Sequence, residues 1–371
     1  MQGRKPCDAA ARKQLVEDSS SRHYRIASMK AIVIERQGSP VAANISLVDG
    51  RDQPQPRAGE ALIRTEASAL NSLDLWVGRG LPGIETRYPF SSGSDGAGTI
   101  VSVGQGVDPA WQGRRVLLNA AVVQELQPHP DRGEAGEDIS MIGEHVEGTM
   151  REFFTAPVTN LLHIGDTDAV QAAAFGLTHL TAWRMLITRA RLRAGSTVLV
   201  TGIGGGVALA LLNIAKHFGC RVVVTSRHQS KLDRALVLGA DHGVLDDGSD
   251  WSKGVRAWTG RRGVDVVADS VGQAVHLHSI KSLARGGVFV TCGATTGGDA
   301  TTDLTRVFWN QLSILGSTMG DMSEFREVTA LLQSGAIKPV VDSVHSPAEA
   351  KTAFKRLESW EQFGKVVIDW R

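Results

Sequence analysis

From residue 197 to residue 316 the chain alternates short apolar runs with stretches of helical length. The runs fall at 197–201, 221–225, 243–245, 264–268, 287–291 and 313–316, and they are rich in Val, Ile and Leu. β-Branched runs of that length predict strands, and the helical stretches between them predict crossovers. Crossover helices return the chain in the same direction, so the strands must lie parallel in one sheet with helices on both faces. Six such strands make a doubly wound α/β sheet, which binds its ligands outside the carboxyl ends of the strands.

The end of the first strand carries the strongest chemical signal. Gly202, Gly204, Gly205 and Gly206 are followed by Val207 and Ala208, and a helical stretch opens there. Glycine lets the backbone turn tightly and approach a pyrophosphate, while the free amides at the helix start stabilise the anion. A dinucleotide is therefore expected on this loop. An acidic residue at the end of the second strand would accept the adenine ribose hydroxyls, but the chain has Ser226, Arg227 and His228. With no carboxylate to repel a 2′-phosphate, and with Arg227 and Lys231 near enough to pair with it, NADPH is expected over NADH. Two further strand ends should line the same crevice. They are the segment after the fourth strand, with Val271 and Gly272, and the segment after the fifth, with Gly293 and Ala294.

Before this region the grammar is different. Strand-like runs at 30–35, 60–65, 98–103 and 115–119 are separated by Gly and Pro punctuation, which predicts a β-rich domain. The tail resumes with a helix from residue 324 to about 334 and a strand at 365–368, able to return to the first domain. The expected organisation is a leader over 1–28, taken as disordered, a β-rich catalytic domain over 29–164, a dinucleotide-binding domain over 165–320, and a return segment over 321–371. With 40 basic and 39 acidic residues, nothing recruits a nucleic acid or an anionic membrane. Cys7, Cys220 and Cys292 have neither metal-ligand spacing nor a pairing pattern, and no run is apolar enough to span a bilayer. A soluble, cytoplasmic protein acting on a small molecule is expected.

Further motifs carry a resemblance. Gly93-Ser-Asp-Gly-Ala-Gly98, Gly113-Arg-Arg-Val116, Leu180-Thr-Ala-Trp183 and Phe363-Gly-Lys-Val-Val367, together with the glycine loop, resemble the medium-chain dehydrogenase/reductase superfamily over nearly everything after Met29. The resemblance implies a Rossmann-type doubly wound parallel sheet inserted into a β-rich GroES-like catalytic domain. Zinc-dependent members place a Cys in the segment that here holds Asn71, and a His-Glu pair where this chain has Ser94 and Asp95. Their third ligand falls at about Leu177, and the cysteines of their structural zinc lobe would lie between 119 and 140, where this chain has none. Zinc prefers Cys and His ligands, so no zinc is expected. A rebuilt site from Asp95, His145 and His179 remains an alternative, while His276 and His278 are expected at the surface.

The zinc-free, quinone oxidoreductase-like branch is similar in having Asn in place of that Cys, and its members typically reduce quinones, enones or alkenals with NADPH. The resemblance implies an Asn71 amide that donates to the substrate oxygen. Asp74 is a candidate for orienting Asn71 or relaying a proton, and His145 is the best-placed titratable group. Trp76 and Trp183 are candidate pocket walls. A homodimer is expected through the edge strand at 313–316, the region through which superfamily members pair. Two other readings stay open: a zinc-type alcohol dehydrogenase with relocated ligands, and a catalytically silent NADPH-binding protein.

Overall fold

The computed structural model describes residues 28–128 and 135–371. The leader therefore lies, apart from Ser28, outside the described residues.

The six predicted strands form one parallel sheet. They run Thr197–Val200, Arg221–Ser226, His242–Leu245, Val264–Asp269, Leu283–Thr291 and Ser313–Gly316. Their spatial order is third, second, first, fourth, fifth, sixth. In that order the chain reverses beside the first strand, and the crevice so formed is where a doubly wound sheet takes its ligand. Val198, Leu199 and Val200 are all fully buried, because helices cover both faces. The helix Gly206–His217 starts directly on the glycine loop and ends with Lys216 and His217, basic residues that complement its dipole.

The β-rich part is built on a mixed sheet of the strands Val341–His345, Lys365–Asp369, Glu60–Ala69, Asp95–Val103, Arg115–Leu118 and Leu161–His163, with Phe153–Pro157 paired beside Glu60–Ala69. The C-terminal strand Lys365–Asp369 pairs antiparallel with Glu60–Ala69. The chain thus leaves this sheet, builds the parallel one and returns. That return brings residue 365 beside residues 71 and 95.

Three local expectations are corrected. The helix expected over 168–188 is Ala169–Trp183, and it continues in π-helical turns over Arg184–Arg189. The strand expected at 150–154 lies at Phe153–Pro157. His276 stands on the helix Gln273–Ser282 as predicted, but the ring is buried, edge-on to Phe289 and bonded to Thr302 Oγ1 at 2.8 Å. Polar and apolar residues alternate round this helix without forming separate faces, so no side of it can be read as exposed from sequence. His278, in contrast, is half-buried beside Asp250. Among the described residues no helix is long and apolar enough to cross a membrane.

Candidate active site

The glycine loop has the geometry that its composition demands. Gly202 and Gly204 adopt φ of +62° and +122°, a region that costs any residue with a Cβ. Gly205 has open space where a Cβ would stand. Asp269, at the end of the fourth strand, ties the neighbouring segments together. Its fully buried carboxylate accepts Thr201 Oγ1 at 2.5 Å and the amides of Val271 and Gly272 at 3.1 and 3.0 Å. Burial still raises its pKa above the ordinary carboxylate value.

Above this loop opens a cavity of about 550 Å³ that runs from the second strand end to the Asn71 segment. Gly202, Gly205, Gly206, Val207, Ser226, Arg227, Lys231, Val271 and Gly293 all line it, as does Trp76 from the β-rich part. Arg227 is exposed at its rim. Lys231 is already engaged, since its Nζ donates to the Trp360 carbonyl at 2.6 Å and its stem lies over Gly204. Burial beside other cations lowers its pKa. Gly204 sits just behind the lining, its carbonyl taking the Gly364 amide at 2.9 Å. Ala294 is exposed and packs on Gly272 instead of reaching the cavity, because the turn points it away. Trp183 lies in the core against Phe218.

At the other end Asn71 lines the cavity and is 7 % exposed. Its Nδ2 donates to Asp95 Oδ2 at 2.9 Å and makes a longer 3.3 Å contact with the Ala69 carbonyl. Its Oδ1 accepts the Lys365 ammonium at 2.5 Å, and the same ammonium reaches Asp95 Oδ2 at 2.8 Å. Asp95 Oδ1 takes the Leu177 amide at 2.6 Å, and Ser94 Oγ donates to the Ile142 carbonyl at 2.8 Å. Asp74 lies behind Asn71, not in the cavity lining. It accepts the Asn71 backbone amide at 2.7 Å, and burial pushes its carboxyl up to about 6.

The histidines stand elsewhere. His145 is exposed and outside the cavity lining, its Nδ1 accepting the Met141 amide at 3.1 Å. The neighbouring Glu144 lines the cavity instead, and partial burial raises its carboxyl pKa. His179 is buried and stacked on Phe175, with its pKa pushed down to about 3 by burial. The three candidate ligands Asp95, His145 and His179 therefore have separate partners. Among the described residues no cluster of three His, Cys, Asp or Glu side chains could hold a metal. Asn71, Ser94 and Leu177 offer an amide, a hydroxyl and an alkyl chain, a donor set that does not fit zinc. Sequence reasoning missed Lys365, Glu144 and Asp246, which lines the cavity beside Ser226. The only trace of Lys365 was its place in the terminal Phe363-Gly-Lys motif.

Comparison with known proteins places these features. The family described as alcohol dehydrogenase GroES-like domain matches residues 57–166, and that described as zinc-binding dehydrogenase matches residues 206–334. The chain is 31 % identical to the zinc-type alcohol dehydrogenase-like protein YogA of Leptosphaeria maculans, over 85 % of this chain and 92 % of that one. It is 26 % identical to a quinone oxidoreductase of Rattus norvegicus, over 92 % and 97 %. Among solved structures it is similar to an NAD-dependent alcohol dehydrogenase with a TM-score of 0.83 and 34 % identity, covering 92 % of this chain and all of that one.

Proposed function

Because the chain belongs to the medium-chain dehydrogenase/reductase superfamily and is built as an oxidoreductase, we propose that it uses NADPH to reduce a conjugated carbonyl, a quinone, enone or alkenal, without zinc. The observation that carries this reading is the set of side chains at the nicotinamide end of the cavity. Asn71 and Leu177 line it with an amide and an alkyl chain, and Ser94 donates to the Ile142 carbonyl behind them; by the family resemblance these are the positions at which zinc-dependent members place ligands.

The bound dinucleotide supplies a hydride. The residues of the chain do the rest. Gly205 leaves room for the pyrophosphate at a helix N-terminus, with Gly202 and Gly206 beside it in the lining, and Ser226 and Arg227 carry no carboxylate at the end of their strand, the one nearby being Asp246 from the next strand end. Hydride arriving at an electrophilic carbon pushes charge onto the conjugated oxygen. Conjugation spreads that charge, so a neutral donor suffices where a simple ketone needs a stronger electrophile. Asn71 Nδ2 is that donor: the 3.3 Å contact with Ala69 is the weaker of its two and is the one a substrate oxygen replaces. Solvent or a ribose hydroxyl of the bound cofactor would supply the proton.

The proposal includes a homodimer. The strand Ser313–Gly316 pairs on one side only, and Leu304, Phe308, Trp309 and Ile314 beside it are exposed apolar groups. A second copy laid along this edge would satisfy the strand and cover the patch. Free thiols at Cys220 and Cys292 accord with a cytoplasmic setting. The test of function is a steady-state screen with both nicotinamide cofactors against quinones, enones, alkenals and simple alcohols. Turnover confined to alcohols would overturn the reading.

A further inference from the structure

Lys365 is a buried cation, 4 % exposed, at the point where the returning strand meets the residue 71 and 95 segments. Its Nζ, the two ends of the Asn71 carboxamide and the Asp95 carboxylate close a ring. The ammonium donates to Asn71 Oδ1 and Asp95 Oδ2, and Asn71 Nδ2 donates to the same Asp95 oxygen. A carboxamide held by a cation at its oxygen and an anion at its nitrogen has only one orientation. A cation on the oxygen also polarises the amide, and linked bonds of this kind strengthen one another where the dielectric is low. The path of the lysine stem is fixed as well. A Cβ on Gly206 would stand 2.8 Å from Lys365 Cδ, so the stem lies against the first turn of the loop helix.

We propose that Lys365 is a positioning residue for the reduction, setting the orientation of Asn71 and strengthening its N–H as a donor to the developing oxyanion. This rests on Asn71 being the donor. The alternative is that Lys365 only neutralises Asp95 for the sake of folding, and the two roles predict different kinetics.

Lys365→Met alone would leave Asp95 buried and unpaired, which is costly enough to endanger the fold. The informative variant is therefore Asp95→Asn combined with Lys365→Met. It removes both charges and keeps an oxygen for the Leu177 amide, but it also removes the acceptor at Asn71 Nδ2, so its rate is compared with that of Asp95→Asn alone and the difference is the part assigned to Lys365. Melting temperature and NADPH dissociation constant, read by fluorescence on the full chain, establish that the protein is folded and loads its cofactor normally. Rates are then measured with 9,10-phenanthrenequinone and 2-cyclohexenone. We expect kcat to fall about ten- to a hundredfold with KM changed by less than about threefold, as for loss of an interaction made in the transition state. Lys365→Arg, which keeps the charge, should recover at least part of that loss. Adding Asn71→Ala to the double variant should cost only about a further tenfold, bringing the rate to that of Asn71→Ala alone, because the lysine acts through that amide.

A double variant with a wild-type kcat, an Arg variant no faster than the Met variant, a raised NADPH dissociation constant that accounts for the loss, or a full further loss on adding Asn71→Ala would each overturn the role of Lys365. Asn71→Ala in the otherwise wild-type chain separates the two levels. If that variant is slow and the double variant fast, only the role of Lys365 is lost. If it retains the full rate, the donor assignment itself has failed.

Discussion

At Asn71 the chemistry of the site reduces to which hydrogen bonds a carboxamide can exchange. Asp95 holds one N–H at 2.9 Å and the Ala69 carbonyl holds the other at 3.3 Å, so under the proposed role a substrate oxygen would have one weak contact to displace. Removing a preorganised donor typically costs about a hundred- to a thousandfold in rate, and Asn71→Ala is expected to lower kcat within that range. His145→Ala should leave kcat within about threefold, since the ring is exposed and outside the cavity lining. Steady-state kinetics of the two variants on one quinone checks both. At the other end of the cavity, wild type should bind NADPH more tightly than NADH, and Arg227→Ala should narrow the gap. Equal dissociation constants for wild type would contradict that assignment. Asn71 and the glycine loop were legible in sequence because motif and spacing carry them. Lys365 was not, because its role depends on a return of the chain that spans 294 residues, and no local pattern reports it.

The helix Ser72–Arg79 begins at this site, and its start carries a titratable group. Asp74, at the third helical position, accepts the Asn71 backbone amide, as a capping carboxylate does. Burial nevertheless dominates and pushes the carboxyl from 3.8 up to about 6. A carboxyl raised on folding binds its proton more tightly in the native than in the unfolded state. Its contribution to stability is therefore present in acid and is lost as pH rises from about 4 to about 6. Asp74→Asn should flatten that slope, and urea denaturation of both proteins between those limits measures it. An identical slope in the variant would mean that another group sets it. Five of the six strands in the parallel sheet were legible to within a residue or two, the central ones because they are buried on both faces and read as unbroken apolar runs; the fifth begins at Leu283, four residues before its expected start. The Phe153–Pro157 strand was less so, and the π-helical turns after Trp183 have no signature in the sequence.

On the scale of the whole molecule, the chain closes its first sheet with its last strand and leaves an edge of its second sheet open. Sedimentation should give a dimer, and Ile314→Lys, which places a charge on the open edge, should shift the population to monomer. A concentration-independent monomer for wild type would contradict the predicted pairing. The same closure brings Lys365 to Asn71 and Asp95. The proposal that a fixed ammonium and amide serve the reduction without a metal is the centre of the account. The most direct measurement is the rate of NADPH oxidation with the best quinone or enone found, on protein dialysed exhaustively against a strong chelator and assayed for metal, with and without added zinc. The account predicts an undiminished rate in metal-free protein and no gain from zinc. A rate lost on chelation and restored by zinc would contradict it.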